Sequence, residues 1–273
     1  MVVRTINRHE IKTIDDVLTT LDYIILEAEK NGDPTGYFAV LYQRVTLRVK
    51  EEIEAGFFDD GPRMEKLDVT FAMQYIDAWY EWKENKRVSQ SWTAAFTFTQ
   101  KKWPVVLQHL LMGMNAHINL DLGVAAATIS TPATIHELRD DFYRINEILS
   151  MLVNDVQNNL SAVWPTLKKI LAKTGKLDNL LVDFSMQKAR DGAWEFALFL
   201  VRFPFKEQPA EIALRDEKVN QITELISNPG TGVKLMLFAI RLGELGSVSG
   251  KIKKLKNKTE ETVTVPLQPS APS

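Results

Sequence analysis

The sequence predicts an all-α fold, a single bundle of roughly eight to nine helices with a disordered C-terminal tail. Apolar residues recur three and four positions apart in one segment after another, which is the spacing of a buried helix face. No segment combines strand-like alternation with flanking hairpin turns. With 273 residues, the chain is also long enough to bury a substantial core.

Capping and turn residues set the predicted helix boundaries. Thr13 followed by Asp16 is an N-cap pattern, and the Asn31–Pro34 turn ends the first helix. Pro104 and Pro132 each suit the first position of a helix. The predicted helices cover approximately residues 13–30, 37–55, 63–85, 89–98, 104–127, 132–163, 177–201, 210–226 and 233–245.

Composition changes near residue 247, so the sequence predicts a helical domain at 1–246 and a solvated, disordered tail at 247–273. Five lysines lie within Lys251–Lys258, and a Thr/Pro/Ser-rich stretch follows. As an alternative, these lysines could bind an acidic membrane surface weakly, because they follow the apolar segment Val233–Leu245.

Bulk composition narrows the function classes. The chain has no cysteine, so thiolate catalysis and cysteine-ligated zinc are excluded. A formal net charge of −2 argues against a nucleic-acid binder, which usually carries a basic face. The first ten residues lack the apolar core of a signal peptide, and no run is long enough to span a membrane. We therefore expect a cytoplasmic protein.

One segment concentrates polar side chains inside an otherwise apolar helix. Residues 107–121 contain His109, Asn115, His117, Asn119 and Asp121. Such groups cost free energy when buried unless each finds a partner. His117 and Asp121 are four apart and share one helix face, and Asn115 and Asn119 share a second.

Three interpretations of this segment are open. A divalent metal (Zn, Fe or Mn) could be held by His109, His117 and Asp121 together with His136 and Asp140 from the next helix, if the two helices pack antiparallel. The same side chains could instead form a hydrogen-bonded core network. In the third interpretation a metal-free pocket uses His117 or Asp121 as acid or base.

Other candidate site residues lie on neighbouring segments. Asp68 shares a helical stripe with Tyr75 and Trp79, although it could simply favour the helix N-terminus. Arg190 is four residues before Trp194 and could bind an anion there, or pair with Asp68, Asp140 or Asp141. The candidate catalytic residues are Asp121, His117, Asp68 and Arg190. The candidate substrate-binding residues are Asn115, Asn119, Tyr75, Trp79 and Trp194.

The run Gly113–Asn119, with His109 before it and Asp121 after it, resembles a widespread, mostly bacterial family of unknown function. The resemblance extends to about Leu225 and implies an all-helical fold, but it brings no established activity. Family members often have Asn-His-Asp where this chain has Asn119-Leu120-Asp121. That departure removes one histidine and weakens a dinuclear metal site.

These observations leave three hypotheses for function, each with a small-molecule ligand or a partner. The first is a metal-assisted, hydrolase-like enzyme acting on a small or phosphorylated substrate. The second is a metal-free, cyclase-like enzyme with an aromatic-lined pocket. The third is a non-enzymatic binding or scaffold protein with a structural polar core.

Overall fold

A computed structural model describes residues 7–145, residue 148 and residues 186–262, and this part of the chain is helical without strands. The all-α prediction is confirmed, with slightly more helices than predicted. The helices numbered within the described residues are α1 (Ile14–Asn31), α2 (Thr35–Glu54), α3 (Gly61–Lys83), α4 (Gln90–Phe98), α5 (Val106–Ala116), α6 (Leu122–Thr128), α7 (Met186–Leu200), α8 (Gln208–Ser227), α9 (Thr231–Gly243) and α10 (Val248–Thr262), and a further α-helix begins at residue 139.

Local capping explains why the first helices begin where they do. Thr13 and Asp16 form a reciprocal capping box at the start of α1. Gly32 ends α1 with a φ of 63°, a left-handed conformation that favours glycine. Asp60 and Ser89 accept hydrogen bonds from the first-turn amides of α3 and α4. These caps are readable in the sequence, and the predicted starts are close to the observed ones.

Two helices begin later than predicted. Helix α5 begins at Val106, two residues after the predicted start at Pro104, and both carboxylate oxygens of Glu244 accept from the Val106 amide, at 3.1 and 3.3 Å. After Pro132 the chain forms the 3₁₀ helix Ile135–Leu138, and an α-helix begins only at residue 139. The rest of the helix predicted at 132–163 and the first part of the one predicted at 177–201 lie outside the described residues.

The predicted disordered tail begins too early. Residues 248–262 form helix α10, whose Ile252 is fully buried beside Gly36 of α2. Lys251 is also buried, and its ammonium group donates to Glu244 at 3.2 Å. The lysines of residues 248–262 suggested a solvated segment. Because Ile252 and Lys251 are buried, the segment instead packs against the bundle as a helix. Residues 263–273 lie outside the described residues.

The buried apolar side chains form two clusters, and the middle of the chain runs through both. One cluster is built mainly from α1 to α5 with α9 and α10, and the other from α6, α7, the start of α3 and residues near 142. Residues 105–123 are all buried except Met114, which is partly exposed and borders both clusters. The polar segment thus crosses from one cluster to the other. Among the described helices, none is long and apolar enough to cross a membrane.

Candidate functional site

The polar segment contains a local change of helix type. Residues His117–Asp121 form a π-helical turn between α5 and α6, and the Leu122 amide donates to the carbonyl of His117, five residues earlier. Such turns occur often at functional sites. On the neighbouring helix α8, Nε of Arg215 donates to the carbonyl oxygen of Asn119 at 2.9 Å. Arg215 therefore ties α8 to the π-helical turn.

His117 and Asp121 form a buried pair across this turn. The two side chains are 2 % and 4 % exposed, and Nδ1 of His117 lies 3.0 Å from Oδ2 of Asp121. The same oxygen accepts the indole N–H of Trp92, at 2.9 Å. Trp92 is on α4, so a second helix fixes the orientation of the carboxylate. His117 Nε2 is buried and has no hydrogen-bond partner among the described residues.

Aromatic rings enclose the imidazole. Five rings from the described residues lie within 6.1 Å of it, centroid to centroid, and they belong to Phe38, Tyr42, Phe71, Tyr75 and Trp92. Phe71 stacks almost parallel on His117, with 3.7 Å between centroids. Of these five rings, Phe71 is the one that is partly exposed. The imidazole is therefore held in an apolar environment with one partly exposed wall.

Gly113 makes room for this enclosure. A Cβ atom at this position would lie 2.5 Å from two ring carbons of Phe38. Because real Cβ contacts are essentially never that short, any larger residue would displace the Phe38 ring from its edge contact with His117. The group that approaches Gly113 most closely is therefore this ring.

Burial determines the protonation of the pair. It lowers the pKa of His117 well below its usual value, so the imidazole is neutral near pH 7. It raises the pKa of Asp121 well above its usual value, while the bond from Trp92 opposes that rise. We assign the imidazole proton to Nδ1, since Oδ2 already serves as an acceptor for Trp92. This tautomer leaves a lone pair on Nε2 and makes that atom a potential base.

A second carboxyl group lies close to the enclosure. Asp68 is on α3, one turn before Phe71 and two before Tyr75, and it is 7 % exposed. Burial, with a contribution from Glu65, raises the pKa of Asp68 to about 8. Burial is the largest cause of the raised pKa of Tyr42, and the negative charge of Asp68 adds to it. Asp68 Oδ2 and the Tyr75 hydroxyl are buried and have no hydrogen-bond partner within the described part of the chain.

Comparison with known protein families shows which family this chain belongs to. A family model described as "Family of unknown function (DUF5995)" matches residues 14–229. The chain belongs to this family. No curated protein and no solved structure matches it.

In this DUF5995 member the five predicted metal ligands are not brought together. His136 and Asp140 are exposed on and after the 3₁₀ helix, so Asp121 and His136 do not form the predicted pair. His109 is buried but packs against Tyr37 and Phe98, rings that do not belong to the His117 enclosure. Within residues 7–145 and 186–262, no three His, Asp or Glu side chains gather into a group that could hold a metal ion.

The two asparagines predicted to bind substrate are used inside the protein. The amide of Asn115 donates to the carbonyl of Val219 on α8 at 3.0 Å, and the amide of Asn119 donates to Oδ1 of Asn115 at 3.0 Å. This short network holds α8 against the central segment. These hydrogen bonds match the core-network interpretation, and a role of the two residues in substrate binding stays a prediction.

The remaining predicted site residues divide between two regions. Tyr75 is in the enclosure, whereas Trp79 contacts Tyr23 and Tyr80 instead. Trp194 packs against Phe142 and Tyr143 in the other apolar cluster. Arg190 is buried on α7, where burial lowers its pKa to about 10 while Asp191 opposes that shift.

The predicted partners of Arg190 have other roles. Asp141 accepts from the amides of Asp59 and Asp60 and pairs with Arg144, so it supports the turn before α3. Asp140 is exposed and lies 3.7 Å from Arg139.

Four residues of the enclosure were missed by the sequence analysis: Phe38, Tyr42, Phe71 and Trp92. A signal for three of them was present, because Phe38 and Tyr42 are four apart on α2, as Phe71 and Tyr75 are on α3. Such aromatic pairs are common in ordinary cores, so spacing alone does not mark a site. Trp92 had no comparable signal, since its role depends on α4 packing beside the π-helical turn.

Proposed function

We propose that this protein is a metal-independent enzyme that transfers a proton on a small, mostly apolar molecule, with His117 as the base. One observation carries the proposal: the buried imidazole is fixed by Asp121 through Nδ1, while Nε2 has no protein partner among the described residues. A purely structural histidine would be expected to use both nitrogens, because a buried polar atom without a partner costs free energy.

His117 and Asp121 have complementary roles in this proposal. Nε2 takes a proton from the substrate, and Oδ2 of Asp121 accepts from the Nδ1–H of the imidazolium that forms and so stabilises it. The lowered pKa of His117 keeps Nε2 free of a proton near neutral pH. Trp92 holds the carboxylate at 2.9 Å and so keeps the imidazole in a single orientation.

Asp68 and Tyr75 act as hydrogen-bond or proton donors in this proposal. With a pKa of about 8, Asp68 is a neutral carboxylic acid at pH 7 and can donate a hydrogen bond or a proton. His117 and Asp68 lie on neighbouring elements. When the surroundings of two such groups push their pKa values apart, one can act as the base and the other as the acid. A carbonyl substrate would lose an α-proton to His117 while its oxygen accepts from Asp68 or Tyr75. Returning the proton to another carbon completes an isomerisation.

The enclosure favours an apolar substrate. Aromatic rings stack well on flat or cyclic carbon skeletons and provide few hydrogen bonds to a charged one. Phe71 covers a face of the imidazole and is partly exposed, so its rotation is the simplest way to admit a ligand. These features favour the metal-free, cyclase-like hypothesis over the metal-assisted hypothesis, in which the substrate is small or phosphorylated. The dispersed positions of His109, His136 and Asp140 point the same way.

Proton exchange provides a direct test. The full-length protein in D₂O is incubated with a panel of small cyclic ketones, and the loss of α-proton signal is followed by ¹H NMR. We expect exchange on at least one ketone, a loss of at least about a hundredfold in His117→Ala, and a smaller loss in Asp121→Asn. His136→Ala, which removes an exposed histidine, is the matched control and should exchange at the wild-type rate.

The same experiment separates the other two hypotheses. Exchange that disappears with a metal chelator and returns with zinc, iron or manganese would support the metal-assisted enzyme. Exchange equal in wild type and His117→Ala would remove His117 from any catalytic role. A panel without exchange, together with a His117→Ala variant that only loses stability, would favour the structural polar core.

A further inference from the structure

Helix α9 has a second apolar face that the core does not use. Its residues Met236, Leu237 and Ile240 are buried against the bundle. Leu235, Phe238 and Leu242 lie on the outside at helical spacing, and Leu245 follows just beyond the helix end. These four side chains are between 49 % and 76 % exposed. Contiguous exposed groups of this kind mark interaction surfaces on soluble domains.

Trp103 extends this surface. It is 69 % exposed, and its ring stacks on Phe238 with 6.2 Å between centroids. Arg241 of α9 donates to the carbonyl of Lys102 at 3.1 Å and so joins the 101–103 segment to the helix. We call Trp103, Leu235, Phe238, Leu242 and Leu245 the apolar stripe.

The exposed charges next to the apolar stripe in sequence are positive, and Glu244, between Leu242 and Leu245, is buried and paired with Lys251. Lys101, Lys102 and Lys234 are exposed beside it, and the sequence of α9 contains no aspartate or glutamate. The chain as a whole has a formal net charge of −2, so this local excess of cations is a property of the surface and not of the composition. Leucine and aromatic side chains framed by lysines match the composition of helices that lie in a membrane interface.

We propose that the apolar stripe docks this protein on an anionic membrane surface. The Leu, Phe and Trp side chains enter the boundary between headgroups and acyl chains, and the three lysines approach the lipid phosphates. A second copy of the chain is a poorer occupant, because its own α9 carries the same cations and no acidic residue to pair with them. This proposal does not depend on the function proposed for His117.

Vesicle sedimentation tests the proposal with the full-length protein. The probes are vesicles of phosphatidylcholine alone and of phosphatidylcholine with an equal part of phosphatidylglycerol. We expect binding to the anionic vesicles, a roughly tenfold weaker partition for Leu242→Ser, and a roughly fivefold weaker one for Lys102→Gln. Leu214→Ser is the matched control, because Leu214 is also an exposed leucine, on α8, and should bind as wild type does.

Quenching by brominated lipids reports the contact itself. Trp103 is the tryptophan that is exposed in the described residues, so its fluorescence should fall on anionic brominated vesicles, and Trp103→Phe should remove that change. Equal binding to the neutral vesicles, equal binding by Leu242→Ser, or no binding at all would overturn the proposal. A concentration-dependent dimer that Leu242→Ser abolishes would also overturn it, by assigning the stripe to a second copy.

Discussion

Replacing Asp68 by asparagine should make the protein more stable at neutral pH. Asp68 is 7 % exposed, and one of its carboxylate oxygens has no hydrogen-bond partner in the described part of the chain. Burial raises its pKa from 3.8 to about 8. In the unfolded chain the group ionises near its ordinary value, so the folded state binds an extra proton between these two pH values. Asparagine keeps the shape of the neutral acid and has no proton to lose.

The size and sign of the effect follow from linkage. A raised folded-state pKa means that the contribution of Asp68 to stability is fully present below pH 3.8 and is lost as pH rises to about 8. The loss amounts to about 2 kcal/mol by pH 5 and about 4 kcal/mol by pH 7. Asp68→Asn should recover these amounts relative to wild type, and the gain should level off above pH 8.

Urea unfolding at pH 4, 5, 7 and 8.5, followed by circular dichroism, measures this difference. Asp140→Asn serves as the control, because its side chain is 77 % exposed and its replacement should leave stability nearly unchanged. A neutral or destabilising effect of Asp68→Asn at every pH would refute the reasoning. It would mean that Asp68 is ionised in the folded protein and satisfied by a partner.

Three further substitutions test the packing and the buried charges. Gly113→Ala should destabilise the protein by about 2 kcal/mol in urea unfolding, because its Cβ would collide with the Phe38 ring. Lys251→Met leaves the buried Glu244 carboxylate without its cation, so it should cost about 3 kcal/mol and expose α10 to limited proteolysis. Burial lowers the pKa of His109 to about 4, so protonating it should cost the wild-type protein about 3 kcal/mol of stability between pH 6.5 and 4. His109→Leu should remove that loss.

Each of these substitutions has a control on the same chain. Gly232→Ala adds a Cβ where no atom lies within 4 Å and should be tolerated. Lys254→Met removes an exposed lysine of α10, and His136→Leu removes an exposed histidine. Equal effects in a variant and its control would contradict the corresponding contact. A His109→Leu protein that still loses its full stability on acidification would show that His109 does not resist protonation.

Much of the fold could be predicted from local chemistry. Thr13 with Asp16, Gly32, Asp60 and Ser89 determine helix ends through bonds that reach only a few residues along the chain. Where a helix end depends on a distant group, the predicted boundary is displaced, and α5 begins two residues after the predicted start at Pro104. The carboxylate of Glu244, more than a hundred residues away in sequence, binds the first amide of α5.

The candidate site shows the same division. The His117–Asp121 spacing pointed to a shared face, and the two side chains do meet, at 3.0 Å. All the polar residues of this segment were candidate site residues, yet the structure gives them different surroundings. His117 and Asp121 face an aromatic enclosure, Asn115 and Asn119 hold α8, and His109 lies among other rings.

Helical periodicity and capping, which depend on neighbours along the chain, determined from the sequence alone that this protein is all-α and that polar groups are buried in its middle segment. The tertiary structure alone decided which of those groups share an environment. Phe38, Phe71 and Trp92 come from three different helices, and the π-helical turn that presents His117 to them forms where α8 packs against the segment. Contacts between residues far apart in sequence leave no periodic signal, so the surroundings of His117 became visible only in three dimensions.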